Sequence, residues 1–308
     1  MREGSELERA WQKVLAAVLV PATVATAVAI AWAAIESGVE PAGVVYPLVL
    51  CAFVLVATME RVLPWHRDWN HSKGDLRTDA LYLPTHAGVS ALFAPLVATL
   101  AVAGGGWLSE HVEGGVWPAG WPILAQVVLA TIVKEFFDYW GHRSMHAFDW
   151  LWRLHATHHS ATRLYWLNGA RAHPGEIAFR FGLLGVLPLA LLGVDAKVLA
   201  LTYVAGGVAD TFQHANIHLR LGPLSWIYSI GDLHRWHHSR SREEADSNYG
   251  NVYIFWDAIF GTRYLPPDLE APSEVGIEGL EAFPRGFFAQ WLSPFRWARI
   301  ERESARVL

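Results

Sequence analysis

Residues 14–35 read VLAAVLVPATVATAVAIAWAAI, an uncharged run that as a helix is about 33 Å long at ~1.5 Å per residue, enough to cross a bilayer core. Because a segment in lipid must satisfy its backbone hydrogen bonds internally, this stretch commits the chain to membrane helices. A cleaved leader is the competing reading, but Glu36, Ser37 and Gly38 follow without a small-residue cleavage pattern. Working outward, Gly43 to Met59, Leu81 to Ala103 and Pro122 to Trp140 read as three further spans, the last turning amphipathic at Lys134, Glu135 and Asp138. Two weaker runs, Ile177 to Gly193 and Ala196 to Phe212, read as a helical hairpin. Arg180 makes a re-entrant or interfacial hairpin the alternative to full crossings, since a charge in hydrocarbon is costly. The expected fold is therefore all-α: a multi-pass membrane protein of four spans plus this hairpin. Its expected divisions are membrane spans over 1–121, a second region over 122–265 and an interfacial tail over 266–308.

Charge sets the orientation. Arg2, Arg9 and Lys13 precede the first span, and Arg61, Arg67, Lys73 and Arg77 lie between the second and third, whereas 36–42 and 104–121 carry no Lys or Arg. The positive-inside tendency then puts both chain ends of the four-span unit in the cytoplasm. That means the inner membrane in a bacterium or the endoplasmic reticulum in a eukaryote. A net charge of -5 offers no basic surface for nucleic acid. The single cysteine, Cys51, excludes intrachain disulfides and cysteine-ligated metal sites, so a metal here must bind nitrogen or oxygen.

Histidine is the abnormal component: ten of the 15 fall in His142 to His159 and His214 to His238. They form four clusters, His142-Arg-Ser-Met-His146, His155-Ala-Thr-His158-His159, His214-Ala-Asn-Ile-His218 and His234-Arg-Trp-His237-His238. Spacings of three and four residues put imidazoles on one helix face. A lone HxxxH pair arises often by chance; four clusters, two of them HxxHH followed by Ser, point to metal. Imidazole suits iron, zinc, copper and nickel alike, so the ligands do not choose among them. The chain has neither HExxH, which argues against a zinc protease, nor the ExxH pairs of carboxylate-bridged di-iron bundles, nor a G-x-S-x-G nucleophile elbow. Asp138, Asp210, Asp232 and Asp257 are candidates to accept the free ring N–H of ligating histidines, and His173 is a candidate ligand or supporting donor.

These motifs resemble the sterol desaturase and fatty acid hydroxylase superfamily of membrane non-haem di-iron oxygenases. Asp138-Tyr-Trp-Gly-His142-Arg-Ser-Met-His146 is similar to the first family motif, Trp152-Arg-Leu-His155-Ala-Thr-His158-His159-Ser160 to the second, and Asn168, Arg171 and His173-Pro174 to an Arg-x-His-Pro element. Gln213-His214-Ala-Asn-Ile-His218 and His234-Arg-Trp-His237-His238-Ser239 resemble the third and fourth. Asn248-Tyr249-Gly250, read as a turn close to the site, and Trp256-Asp257 through Phe260-Gly261-Thr262 complete the pattern.

The resemblance implies two iron ions, dioxygen as co-substrate, a membrane lipid as substrate and a separate ferredoxin- or cytochrome-type electron donor. It implies all ten clustered histidines as catalytic metal ligands in a histidine-rich cytoplasmic cap. His142, His155, His158, His234 and His237 would serve one metal, and His146, His159, His214, His218 and His238 the other. Hydroxylation of an acyl chain or sterol is the leading expectation, with desaturation or oxidative demethylation as the rival outcome of the same family. A membrane zinc or copper transporter is the alternative of another class, although transport ligands belong at mid-membrane depth and these clusters fall at span ends.

Overall fold

The computed structural model describes residues 6–307 apart from 114 and 220. Arg2, one of the charges used to orient the chain, lies outside the described residues, as do the side chains of Arg9 and Lys13. Among the described residues the chain is helical, with isolated bridges such as Pro64–Ile217 and no strand. The elements used below are α1 (Glu6–Glu36), α2 (Val45–Val62), α3 (Leu76–His111), α4 (Ile123–Ala147), α5 (Asp149–His159), α6 (Pro174–Leu191), α7 (Ala196–Asp210), α8 (Asp232–His237) and α9 (Trp297–Ser304).

Among the described residues four helices are long and apolar enough to cross a membrane: Ala17–Glu36, Pro41–Val62, Leu76–Leu108 and Pro174–Leu191. Three coincide with expected spans, and the fourth, α6, falls on the first half of the expected hairpin. The run from Pro122 to Trp140 is helical and forms most of α4, which carries Lys134, Glu135 and Asp138. In both helices the charges point inward. On α4, Leu124, Val128 and Ile132 recur every fourth residue on the outer face and are exposed, whereas Lys134, Glu135 and Asp138 are buried and paired with one another. On α6, Arg180 is also buried and donates to Glu176 at 3.1 Å and to Asn251 at 3.1 Å, so its charge faces the protein instead of lipid.

The short helix α7 is the axis of the bundle, packing against α1, α2 and α4. Asp195 starts it by accepting the Lys197 backbone N–H at 2.8 Å, a side-chain cap. Its sequence is rich in Ala and Gly, and small residues let helices approach closely where lipid gives no hydrophobic drive for association. At Gly207 an added Cβ would sit 2.9 Å from Val49 Cγ2 on α2.

Two acidic residues at the ends of the spans fasten the cap to the bundle. Glu60 of α2 accepts the backbone N–H groups of Trp166 at 2.6 Å and Asn216 at 2.8 Å. Asp79 of α3 receives Arg171 Nε at 2.7 Å and the Tyr165 hydroxyl at 2.7 Å. The connection between α2 and α3 therefore lies on the same side of the bundle as the histidine-bearing segments. Gly207→Leu is expected to destabilise the bundle by about 1–3 kcal/mol through overpacking, seen as a lower melting midpoint in detergent. Gly43→Ala, whose Cβ meets nothing within 4 Å, is expected to stay within about 0.5 kcal/mol.

Candidate metal centre

The C-terminal turns of α4 carry His142 and His146, one above the other. On α5, His155 and His159 share a face, while adjacent residues are about 100° apart around a helix, so His158 points elsewhere. His214 follows the end of α7, and His234, His237 and His238 occupy α8 and its C-cap. The result is two adjoining groups, His142, His146, His155, His159 and His237 in one, and His158, His214, His234 and His238 in the other. Within each group the nearest ligand atoms all lie within 4.8 Å of one another, and all nine residues are buried. The groups touch where His159 and His238 stack with ring centroids 4.4 Å apart.

This arrangement departs from the expected one in three ways. His146 and His159 join His142, His155 and His237, while His158 and His234 join His214 and His238, because helix phase and not motif order decides where each ring points. His218 is in neither group. The expected aspartates are committed elsewhere: Asp138 pairs with Lys134, Asp232 with Arg235 at 2.7 Å, and Asp257 accepts the backbone N–H groups of Tyr249 and Gly250, each at 2.7 Å. Asp210 is half-buried at the end of α7, in the field of Lys134. His173 accepts the Gly175 backbone N–H at 3.0 Å and donates to the Trp291 carbonyl at 3.0 Å, which makes it the N-cap of α6.

The ring N–H groups go to partners that motif reading passed over. His155 Nδ1 donates to Glu176 at 2.8 Å, His146 Nδ1 to Asp246 at 2.9 Å, and His214 Nδ1 to the Asn168 side-chain oxygen at 2.9 Å. Three more donate to backbone carbonyls: His142 to Tyr249 at 2.7 Å, His158 to Arg171 at 3.0 Å and His237 to Ser247 at 2.7 Å. Glu176 sits three residues after His173 in a motif already singled out, whereas a backbone carbonyl leaves no trace in sequence. Asn248, at φ 51°, holds the turn that aims the Tyr249 and Ser247 carbonyls, its amide donating to the Leu233 and Tyr264 carbonyls.

These bonds fix the tautomers and expose what the site requires. With the proton on Nδ1, each Nε2 presents a lone pair. Yet His142 Nε2 lies 2.9 Å from His155 Nε2, and His158 Nε2 lies 3.3 Å from His214 Nε2. Lone pair faces lone pair with no proton between them, and the Nε2 atoms of His146, His234 and His237 are buried without any partner. Such a donor set fits a divalent cation of the imidazole-binding kind in each group. Burial also keeps the rings neutral: it pushes His158 down to about 3 and His155, His159, His214, His234, His237 and His238 well below the usual histidine range.

An all-helical membrane protein with two adjoining buried polyhistidine groups is a restricted class, and sequence comparison places this chain within it. Residues 127–262 match the fatty acid hydroxylase family. An ornithine lipid hydroxylase of Rhizobium tropici is 36% identical over 253 residues, 80% of this chain and 74% of that protein. Methylsterol monooxygenase 2-2 of Arabidopsis thaliana is 31% identical over 47% of this chain and 54% of its own length. Human alkylglycerol monooxygenase is 33% identical over 56% of this chain and 36% of its own. No solved structure matches the chain. The chain belongs to the fatty acid hydroxylase family, within the sterol desaturase and fatty acid hydroxylase superfamily, and is an oxidoreductase of the hydroxylase and monooxygenase type.

Two measurements test the site. In the metal-free protein the folded state binds fewer protons than the unfolded state, whose imidazoles titrate near ~6.5. Stability is therefore expected to fall as pH drops below about 6.5 and to be flat above about 7.5, read from melting midpoints across that range. Separately, Glu176→Gln removes the charge behind His155 and is expected to weaken metal retention by about 10–100-fold in chelator competition, with helicity unchanged.

Proposed function

We propose that the protein is a dioxygen-dependent di-iron hydroxylase of membrane lipids, with nine of the clustered histidines as ligands. One observation carries the reading: two adjoining groups of buried imidazoles, six of which commit their Nδ1 protons to other acceptors and turn their Nε2 lone pairs toward one another. Family membership favours iron over the other metals that imidazole accepts. Bound iron there supplies dioxygen reduction: one oxygen atom replaces C–H with C–OH, and the other leaves as water with two protons and two electrons from a separate ferredoxin- or cytochrome-type donor.

The protein's part is positional. Glu176, Asp246, Asn168 and the three carbonyls hold six of the nine rings in one tautomer and one direction, and the Glu176 carboxylate makes His155 a stronger donor. Burial of all nine rings excludes bulk water from the reacting region. The lipid substrate is supported by the three relatives, whose names are those of lipid, sterol and alkylglycerol oxygenases.

The cytoplasmic side is supported by charge: Arg61 at the end of α2, Arg67 and Lys73 in the connection and Arg77 at the start of α3 lie on the same side as the cap. A transporter would spread its ligands along a path at mid-membrane depth. Here they are gathered at the ends of helices.

The test compares lipids by mass spectrometry from cells expressing the native chain and from cells expressing His158→Ala or His238→Ala. The native chain is expected to produce a lipid with one added oxygen, and each variant to lose it together with bound metal while still inserting in the membrane. A lipid lacking two hydrogens would reassign the protein as a desaturase. No lipid change under verified iron loading would sink the enzyme reading.

A further inference from the structure

A cavity of about 370 Å³ opens against His146 and His159, between the start of α5, the 239–246 turn, residues 276–280 and α9. At ~30 Å³ per water molecule it has room for about a dozen, the size of a polar headgroup. Its walls are charged, which a tunnel for hydrocarbon would not be.

Some of those charges are already satisfied. Arg242 pairs with Asp246 at 3.3 Å, and Arg240 with Glu281 at 3.1 Å. Arg153 is different. Among the described residues it has no ion-pair partner, its Nε is buried without a hydrogen bond, and its guanidinium lies 5.9 Å over the Trp297 ring. Two carboxylates that line the same space, Asp149 and Glu278, likewise have no ion pair among the described residues. Glu301, which also lines the space, has no ion pair either but accepts the Trp297 indole N–H at 2.9 Å, so one cation and two anions face the cavity with neither an ion pair nor such a bond among the described residues. Phe148 and Trp150, on either side of Asp149, are exposed and apolar, giving the site a rim of the kind that sits at a membrane interface.

We propose that this cavity seats the polar headgroup of the lipid, of the zwitterionic class that carries an amine and an anionic oxygen. The anionic oxygen meets Arg153, and the amine meets Asp149 and Glu278. The acyl chains stay in the bilayer beyond Phe148 and Trp150. The carbon nearest His146 and His159 then belongs to the headgroup or to the atoms next to it, so oxygen enters at the polar end of the lipid. A sterol or a bare hydrocarbon would offer Arg153 no counter-charge. This proposal rests on the lipid hydroxylase reading and narrows it.

Binding is tested on the purified, iron-loaded full chain in detergent, using tryptophan fluorescence, since Trp152 and Trp297 line the cavity. The probes are dihexanoyl phosphatidylethanolamine, dihexanoyl phosphatidylglycerol and dihexanoylglycerol. The ethanolamine lipid is expected to bind about tenfold more tightly than either of the others. Arg153→Ala is expected to lose about tenfold of that affinity with iron content and helicity unchanged, while Arg299→Ala, on the exposed side of α9, binds as the native chain. Equal binding of all three probes, or native binding by Arg153→Ala, overturns the headgroup site.

Fragmentation of the oxygenated lipid supplies the second arm. Oxygen in the headgroup fragment or on the adjoining carbons supports the proposal. Oxygen far along an acyl chain overturns it and leaves lipid hydroxylation standing, and the absence of any oxygenated lipid overturns both.

Discussion

Nine imidazoles cannot be packed with their lone pairs inward unless something holds each of them there. Removed from a cation, two such nitrogens at 2.9 Å repel, and the rings would turn or take up a proton. Burial blocks the proton, and the hydrogen bond on the opposite nitrogen blocks the rotation. The cap is organised around that second requirement. The loop that includes Asn168 and Arg171, the turn around Asn248, and Glu176 at the start of α6 each deliver an acceptor to a particular ring.

Those acceptors must themselves be held, and the spans hold them. Asp79 anchors Arg171, whose carbonyl holds His158; Glu60 anchors Trp166, two residues before the Asn168 that holds His214, and Asn216, two residues after His214 itself. Buried pairs of this kind contribute little net stability against a well-packed apolar core, because desolvation offsets their attraction. Their value here lies in direction: a carboxylate accepts from few positions, and a chain of them transmits the geometry of the bundle to the rings.

How much of this was legible in the sequence follows from the same physics. Membrane helices declare themselves by composition, so α1, α2 and α3 could be read directly. The 122–140 helix and the hairpin around Arg180 were harder to rank, because hydropathy weighs a charge without knowing which way it faces. Lys134 and Arg180 both turn inward, and only packing shows it. The histidines were legible because HxxxH and HxxHH spacings are themselves helix geometry. Their division was not, since His158 and His159 are neighbours in sequence yet about 100° apart around α5, and the partner each meets is set by distant elements. Asp138, Asp232 and Asp257 illustrate the other difficulty: a nearby carboxylate is equally suited to a lysine, an arginine or a row of backbone N–H groups, and in this fold those partners are closer.

The middle of α6, Ile177–Val186, is π-helical. A π segment is an α-helix carrying one residue more than its phase allows. The turn before it directs Glu176 toward the centre of the protein, and Arg180, within the stretch, donates to that carboxylate; the half after it directs Leu189 into the core, where it is fully buried. Losing a single residue from the stretch would rotate one half by about 100° against the other. Either the arginine would meet lipid or the leucine would leave the core. The extra residue thus reconciles two incompatible registers, one written for the metal centre and one for the bilayer, and length in this stretch is constrained more tightly than the identity of most of its side chains.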